Sequence, residues 1–228
     1  MAKFLGIETG TSVCSIAVFL DNEPIAVRQE EGRIHSEKCA VFIQECLEEA
    51  QMTASEISAI GVSNGPGSYT GLRVGLSIAK GLAYAQNIPI IALDSLEIMS
   101  SVTRKHYCDS DYLHLPMIDA RRREVYMALY SPDGKELEPV QAQVIDEAWL
   151  EQWKHSSPVL LSGDGCWKVK EAGGQIPQWK ETSVRASAEN MGDLLFAAWG
   201  RKEFASTAYL TPKYLKKPNI TRSNKTLL

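Results

Sequence analysis

The chain has 228 residues and a mass of 25.2 kDa, enough for one large domain or two small ones. Its 44% hydrophobic and 23% charged content excludes a disordered or fibrous chain, and a net charge of −4 argues against wholesale electrostatic wrapping of nucleic acid. The longest apolar run, residues 88–93, is broken by Pro89 and far shorter than the roughly 20 residues of a membrane span, so a soluble cytoplasmic protein without membrane association is expected.

Residues 3–9 form a short apolar run that meets Glu8 before any signal-peptide core develops, and they are predicted as a first strand. Residues 13–20 carry apolar side chains on both alternating faces, which predicts a central strand covered on both sides. The turn Asp21-Asn22-Glu23-Pro24 leads into a third strand, 25–30, closing a meander. With Ser36 as N-cap, Cys39, Phe42, Ile43, Cys46, Leu47 and Ala50 recur at three- and four-residue spacing and predict a helix over 36–51. A strand at 57–63, a Gly/Pro turn at 64–68, a long helix over 70–86, a strand at 89–93 and a helix at 95–104 complete the first half.

The second half follows the same order. Strands are predicted at 113–119, 124–130 and 135–144, the last two separated by Pro132-Asp133-Gly134. A helix at 146–154, a strand at 158–161 and a helix at 188–199 follow. Two successive β-β-β-α-β-α units predict a duplicated α/β fold of two lobes, residues 1–104 and 105–228, with a cleft between them. The five cysteines (Cys14, Cys39, Cys46, Cys108 and Cys166) form no CxxC pair and read mostly as small core residues in a reducing compartment.

Chemistry is sparse. Gly6-Ile7-Glu8-Thr9-Gly10-Thr11-Ser12 reads either as a phosphate-holding turn or as a plain hairpin. Asn64-Gly65-Pro66-Gly67-Ser68-Tyr69-Thr70-Gly71 follows a strand and opens a helix, but it lacks the Gly-Lys-Ser/Thr ending of a P-loop and has Thr70 where a dinucleotide loop needs its third glycine. Pro66 also removes one N–H, so a strained, partner-facing turn is expected. Gly71, Gly75 and Ala79 then form a stripe that admits close approach, either to the chain's own sheet or to another molecule. His35 with Cys39 is too small a set for a metal site, and no GxSxG elbow occurs, so no metal, cofactor or catalytic residue is predicted. Arg121-Arg122-Arg123 reads as a solvated hairpin tip or as a phosphate-contacting patch. Beyond Glu203 there is no acid, while Lys213, Lys216, Lys217, Arg222 and Lys225 are basic; this tail is either a solvated terminus or a docking segment for RNA or an acidic partner.

The stretches LGIETGTSVCSIAVF, SNGPGSYTGLRVGLSIAKGLA, IDARRREVYMALY and YLKKPN, beginning at Leu5, Ser63, Ile118 and Tyr214, resemble the TsaB (YeaZ) family. The resemblance runs along nearly the whole chain and is weakest between residues 131 and 186. It implies an actin-like (ASKHA, ribonuclease H-like) duplicated βββαβα two-lobe fold and a role in making threonylcarbamoyladenosine beside the tRNA anticodon. It further implies a non-catalytic subunit that heterodimerises with the metal-holding paralogue TsaD, recruits the ATPase TsaE, forms a homodimer when alone and reaches tRNA only indirectly. The H-x-x-x-H metal motif of TsaD falls here on Ser95 and Met99, with Glu97 retained. Serine and a thioether cannot replace paired imidazoles at a hard-metal site.

On the same resemblance, helices 36–51 and 70–86 supply the partner or dimer interface, with Phe42, Cys46, Gly71, Leu72, Gly75, Ile78 and Leu82 as contacts. A bulky residue at Gly75 is then expected to block assembly and leave the monomer folded. Glu8 stands where actin-like ATPases carry Asp, leaving Glu8, Thr9, Gly10, Thr11 and Ser12 as weak nucleotide contacts. The alternative is an actin-like ATPase or small-molecule phosphotransferase that adds Asp119 and the loop Ser162-Gly163-Asp164-Gly165 to Glu8.

Overall fold

A computed structural model of the chain describes residues 1–32, 35–108, 111–153, 157–174 and 176–216. Strands β1 (Lys3–Glu8), β2 (Val13–Leu20) and β3 (Glu23–Glu31) form an antiparallel meander. Residues 14–19 of β2 are fully enclosed, as apolar side chains on both faces require. Helix α1 (His35–Glu49) crosses to β4 (Ala59–Ser63), which joins β1 in parallel. Helix α2 (Tyr69–Gln86) crosses to β5 (Ile90–Leu93), and α3 (Ser95–His106) follows. Helix α1 begins at His35, so Ser36 is not its cap; the His35 Nε2 lies 3.1 Å from the carbonyl oxygen of Thr11 instead.

The second sheet holds β6 (Leu113–Asp119), β7 (Glu124–Tyr130), β8 (Glu136–Val144), β9 (Val159–Ser162) and β10 (Trp179–Glu181), with helices α4 (Glu147–Trp153) and α5 (Trp167–Glu171) between them. The strand orders are β3-β2-β1-β4-β5 and β10-β9-β6-β7-β8. Read from the opposite end, the second is the first repeated, so the chain has the duplicated, actin-like two-lobe α/β fold. Elements α5 and β10, absent from the sequence-based expectation, complete the second unit. Trp179 of β10 packs on Trp149 and Trp153 of α4 at ring-centroid distances of 5.9 and 5.5 Å.

The first sheet is covered on both faces. Leu5, Ile7, Ile16 and Val18 meet Cys39, Phe42, Ile43 and Cys46 of α1 and Leu76, Ala79 and Ala83 of α2. On the other face, Phe4, Phe19, Ile91 and Leu93 meet Ala188, Met191, Leu195 and Ala198. The last two belong to α6 (Gly192–Arg201). Residues 188–201, expected within the second lobe, therefore pack on the first sheet. The chain beyond α6 also stays with the first lobe: Ala205 bridges Ile90, and the Lys80 ammonium donates to the carbonyls of Ala208 and Leu210 at 3.3 and 3.0 Å. It then crosses the lobes, since the Lys213 N–H donates to Asn64 O at 2.7 Å and the Lys216 ammonium to Ala120 O at 3.2 Å. Among the described residues no helix is long and apolar enough to cross a membrane.

Candidate functional site

Open α/β sheets bind ligands beyond the carboxyl ends of their strands. Here β1, β4 and β5 run parallel and end on Glu8, on Ser63 and Asn64, and on Asp94 and Ser95. Glu8 is completely buried, and its Oε1 accepts the Gly10 N–H at 2.5 Å. The other carboxylate oxygen, the hydroxyls of Thr9, Ser63 and Ser95, and Asn64 Oδ1 are buried with no hydrogen-bond partner among the described residues. Burial pushes the Glu8 carboxyl up to about 7, only partly offset by the Gly10 N–H. Burial also raises Asp94, although the Lys213 ammonium lies 3.2 Å from it.

A pH prediction follows from Glu8. Its carboxyl titrates near an ordinary 4.5 in the unfolded chain and near 7 when folded. Between those values only the folded chain keeps the proton, so stability is lost as pH rises through this window and levels off above it. Glu8→Gln should abolish this slope and stabilise the protein at pH 8 by about 3 kcal/mol, with little effect at pH 4. Urea denaturation at the two pH values checks it; identical pH slopes in wild type and variant would contradict it.

The turn after β4 directs its first half inward. Asn64, Gly65 and Pro66 are buried, and the Ser68 N–H donates to Gly10 O at 2.6 Å. A Cβ on Gly67 would lie 2.1 Å from that same carbonyl oxygen, so only glycine lets the two turns touch. The contact seals the first turn: among Glu8, Thr9, Gly10, Thr11 and Ser12, Ser12 alone is exposed. A phosphate approaching there would meet a covered turn and a carboxyl, with no basic side chain among those five residues.

The glycine stripe of α2 is likewise turned inward. A Cβ on Gly71 would lie 2.0 Å from Thr9 O, and one on Gly75 would lie 2.2 Å from Thr9 Oγ1. Phe42, Cys46, Gly71, Leu72 and Gly75 are all buried in the first lobe, while Ile78 and Leu82 are half-buried at the helix flank. A bulky residue at Gly75 therefore strikes the chain's own turn, which overturns the expectation that the monomer would stay folded. The outward face of α2 carries Arg73, Ser77, Gly81 and Tyr84, with Val41 of α1 also exposed. Sequence periodicity located the face of small residues but could not say what covers it.

Ser95 and Met99 are buried in α3, and among the described residues no three His, Cys, Asp or Glu side chains form a candidate metal site. In the second lobe Asp119 Oδ1 lies 2.5 Å from the ammonium of Lys168, a lysine only 2% exposed. That ammonium also donates to Glu124 O at 2.7 Å, and Asp164 Oδ1 accepts the Asp119 N–H at 2.9 Å. These carboxylates hold the β6–β7 turn in place. Lys168 was missed because a lysine in a short, weakly patterned segment carries no sequence mark of burial. An open cleft of about 810 Å³ lies where β3, α3 and residues 183–193 meet, lined in part by Gln29, Glu30, Glu31, Lys105 and Arg185.

Comparison with known proteins adds relatives to this geometry. The family profile described as TsaD, tRNA N6-adenosine threonylcarbamoyltransferase, matches residues 27–160. The tRNA threonylcarbamoyladenosine biosynthesis protein TsaB of Bacillus subtilis is 33% identical, over 93% of this chain and 93% of its own. The protein of the same name from Escherichia coli is 30% identical over 71% of this chain and 80% of its own. The solved structure of YeaZ from Pseudomonas aeruginosa superposes with a TM-score of 0.80 at 23% identity, covering 94% of this chain and all of that one.

Proposed function

The chain belongs to the TsaB (YeaZ) family of tRNA threonylcarbamoyladenosine biosynthesis proteins, and from that premise we propose that it works as a non-catalytic scaffold that docks a TsaD-type paralogue. The paralogue performs the transfer, and a TsaE-type ATPase joins the pair. The observation that carries this reading is the pairing of a sealed polar interior with an uncovered helix face. Glu8 and its neighbours are closed off, and Ser95 and Met99, which the family resemblance sets against the paralogue's metal-binding histidines, are buried. Along α2, by contrast, Ser77, Gly81 and Tyr84 point outward beside half-buried Ile78 and Leu82. Small residues there admit a second helix at short range, and Tyr84, 85% exposed, supplies apolar area at its end.

This reading moves the contact surface from the buried glycine stripe to the opposite side of the same helix. When the chain is alone, the same strip would serve a homodimer. Beyond its chain neighbours and the local backbone of its own helix, Gly81 has no described heavy atom within 4 Å of the position a Cβ would take, so Gly81→Trp should leave the monomer folded. It should weaken association with a TsaD-type protein by on the order of 100-fold, about 3 kcal/mol, and abolish tRNA modification by the mixture. Co-elution on size exclusion, with circular dichroism as the folding control, is the test; an intact complex would remove the strip from consideration.

A further inference from the structure

In a chain of net charge −4, one face gathers cations with little acid to neutralise them. The guanidinium of Arg73 lies 5.2 Å from the centroid of the Tyr69 ring and donates to the Tyr69 hydroxyl at 2.9 Å. Tyr69 stacks on Tyr214 at a centroid distance of 4.7 Å, and both rings are about two-fifths exposed. Two residues after Tyr214, the Lys216 ammonium reaches Ala120 O and the Glu124 carboxylate at the base of the β6–β7 hairpin. The tip of that hairpin is Arg121-Arg122-Arg123, all exposed. These contacts, joined through the chain from Tyr214 to Lys216, lead from α2 of the first lobe to the hairpin of the second.

The acids on this band are already engaged. Glu124 pairs with Lys216, Asp94 with Lys213, and Asp119 with the buried Lys168. Among the described residues, Arg73, Arg121, Arg122 and Arg123 have no carboxylate within 4.0 Å. The hairpin backbone is itself informative. Arg121 and Arg122 have φ of 67° and 51°, the left-handed region that asparagine and glycine occupy most readily. Two arginines stand there against local preference, held by the Arg121 N–H donating to Asp119 Oδ1 at 2.6 Å. Cations paired with stackable aromatic rings are what a single-stranded or looped polynucleotide contacts: phosphates take the guanidiniums and an unstacked base takes a ring face.

We propose that the band formed by Arg73, Tyr69, Tyr214, Lys216, Arg121 and Arg122 is a direct RNA-binding surface that contacts the phosphate backbone of tRNA. This goes beyond indirect access to tRNA through a partner, and it rests on the family's role in tRNA modification. The surface lies at the N-terminal end of α2, next to the proposed docking strip, so RNA bound there would reach the shared edge of a complex.

The test is fluorescence-anisotropy titration of the full chain with an unmodified tRNA transcript at 50 and 200 mM salt. R121N/R122G removes two charges while giving the turn residues suited to its backbone. It should lower affinity about tenfold at 50 mM salt and reduce the slope of log K against log salt by about 1.5. Arg73→Gln, at the far end of the band, should lower affinity and slope independently, with a slope change of about 0.7. Both variants should melt no lower than wild type, and R121N/R122G, which leaves α2 untouched, should keep wild-type co-elution with a TsaD-type protein. Absence of wild-type tRNA binding at 50 mM salt would overturn the proposal, as would variants that bind like wild type. Displacement of tRNA by poly-glutamate at equal charge would overturn it in favour of an acidic protein partner. Failure of tRNA binding with intact co-elution leaves the scaffold reading standing, and failure of wild-type co-elution with intact tRNA binding removes only the scaffold.

Discussion

Gly71→Ala and Gly75→Leu should each destabilise the protein by more than about 3 kcal/mol, whereas Gly81→Ala, six residues further along the same helix, should stabilise it by up to about 1 kcal/mol. The three glycines share one helix and differ in what stands opposite. At Gly71 the added Cβ would meet the carbonyl oxygen of Thr9 at 2.0 Å, a backbone atom that cannot swing aside. At Gly75 it would meet the Thr9 hydroxyl at 2.2 Å and Ile7 at 3.4 Å, and a leucine side chain has nowhere further to go. Either substitution must lift α2 from the β1–β2 turn and open the interior around Glu8. Gly81 faces open space, so alanine there only restores helix propensity. Urea denaturation of the three variants is decisive: wild-type stability for Gly71→Ala would mean that the close approach is not required.

The second large effect concerns Lys168. Its ammonium is buried against Asp119 and Glu124 O and lies 5.4 Å from the ring centroid of Trp167. Lys168→Met keeps the apolar stem and removes the charge, leaving Asp119 without its cation and the Glu124 carbonyl without this donor. Breaking a buried pair costs about 3–5 kcal/mol, and because Asp119 is itself about a third exposed, the lower figure, about 3 kcal/mol, is expected. The local consequence is equally specific. Asp119 also receives the Arg121 N–H, so the hairpin tip loosens, and trypsin should cut at Arg121, Arg122 or Arg123 faster than in wild type. Unchanged urea stability together with unchanged cleavage would show that the pair does not anchor the hairpin.

The two effects connect stability to use. The interior glycines bring the first turn, the Gly-Pro turn and α2 together, and this closes the polar ends of β1, β4 and β5. Lys168 does the corresponding work in the second lobe, where it secures the hairpin that displays the arginines. Residues 205–216 tie the lobes together, with Lys213 beside Asp94 and Lys216 beside Glu124. The functional surfaces proposed above lie outside these closed interiors, on the outward face of α2 and along the basic band.

Much of the architecture was legible in residue order. Strands 13–20, 113–119 and 124–130 have the bounds that alternation and turn residues predicted, because a strand buried on both faces leaves an unbroken apolar run. The helices at 35–49 and 69–86 were legible because apolar positions recur every three or four residues over several turns. Elements α5 and β10, five and three residues long, were not, since so short a segment contains no full period. The start of α1 falls one residue before the expected cap Ser36, where His35 contacts the carbonyl oxygen of Thr11 in another segment.

Sequence alone determined the duplicated order of elements, the family, and the positions of small, basic and carboxylate residues, because these depend on local pattern. Which side of α2 meets the β1–β2 turn, how deeply Glu8 and Lys168 sit, and where residues 188–216 return were decided only by tertiary structure. Each is a contact between segments far apart in the chain. Periodicity tells which residues share a face, whereas burial and charge pairing depend on what another part of the chain brings to that face.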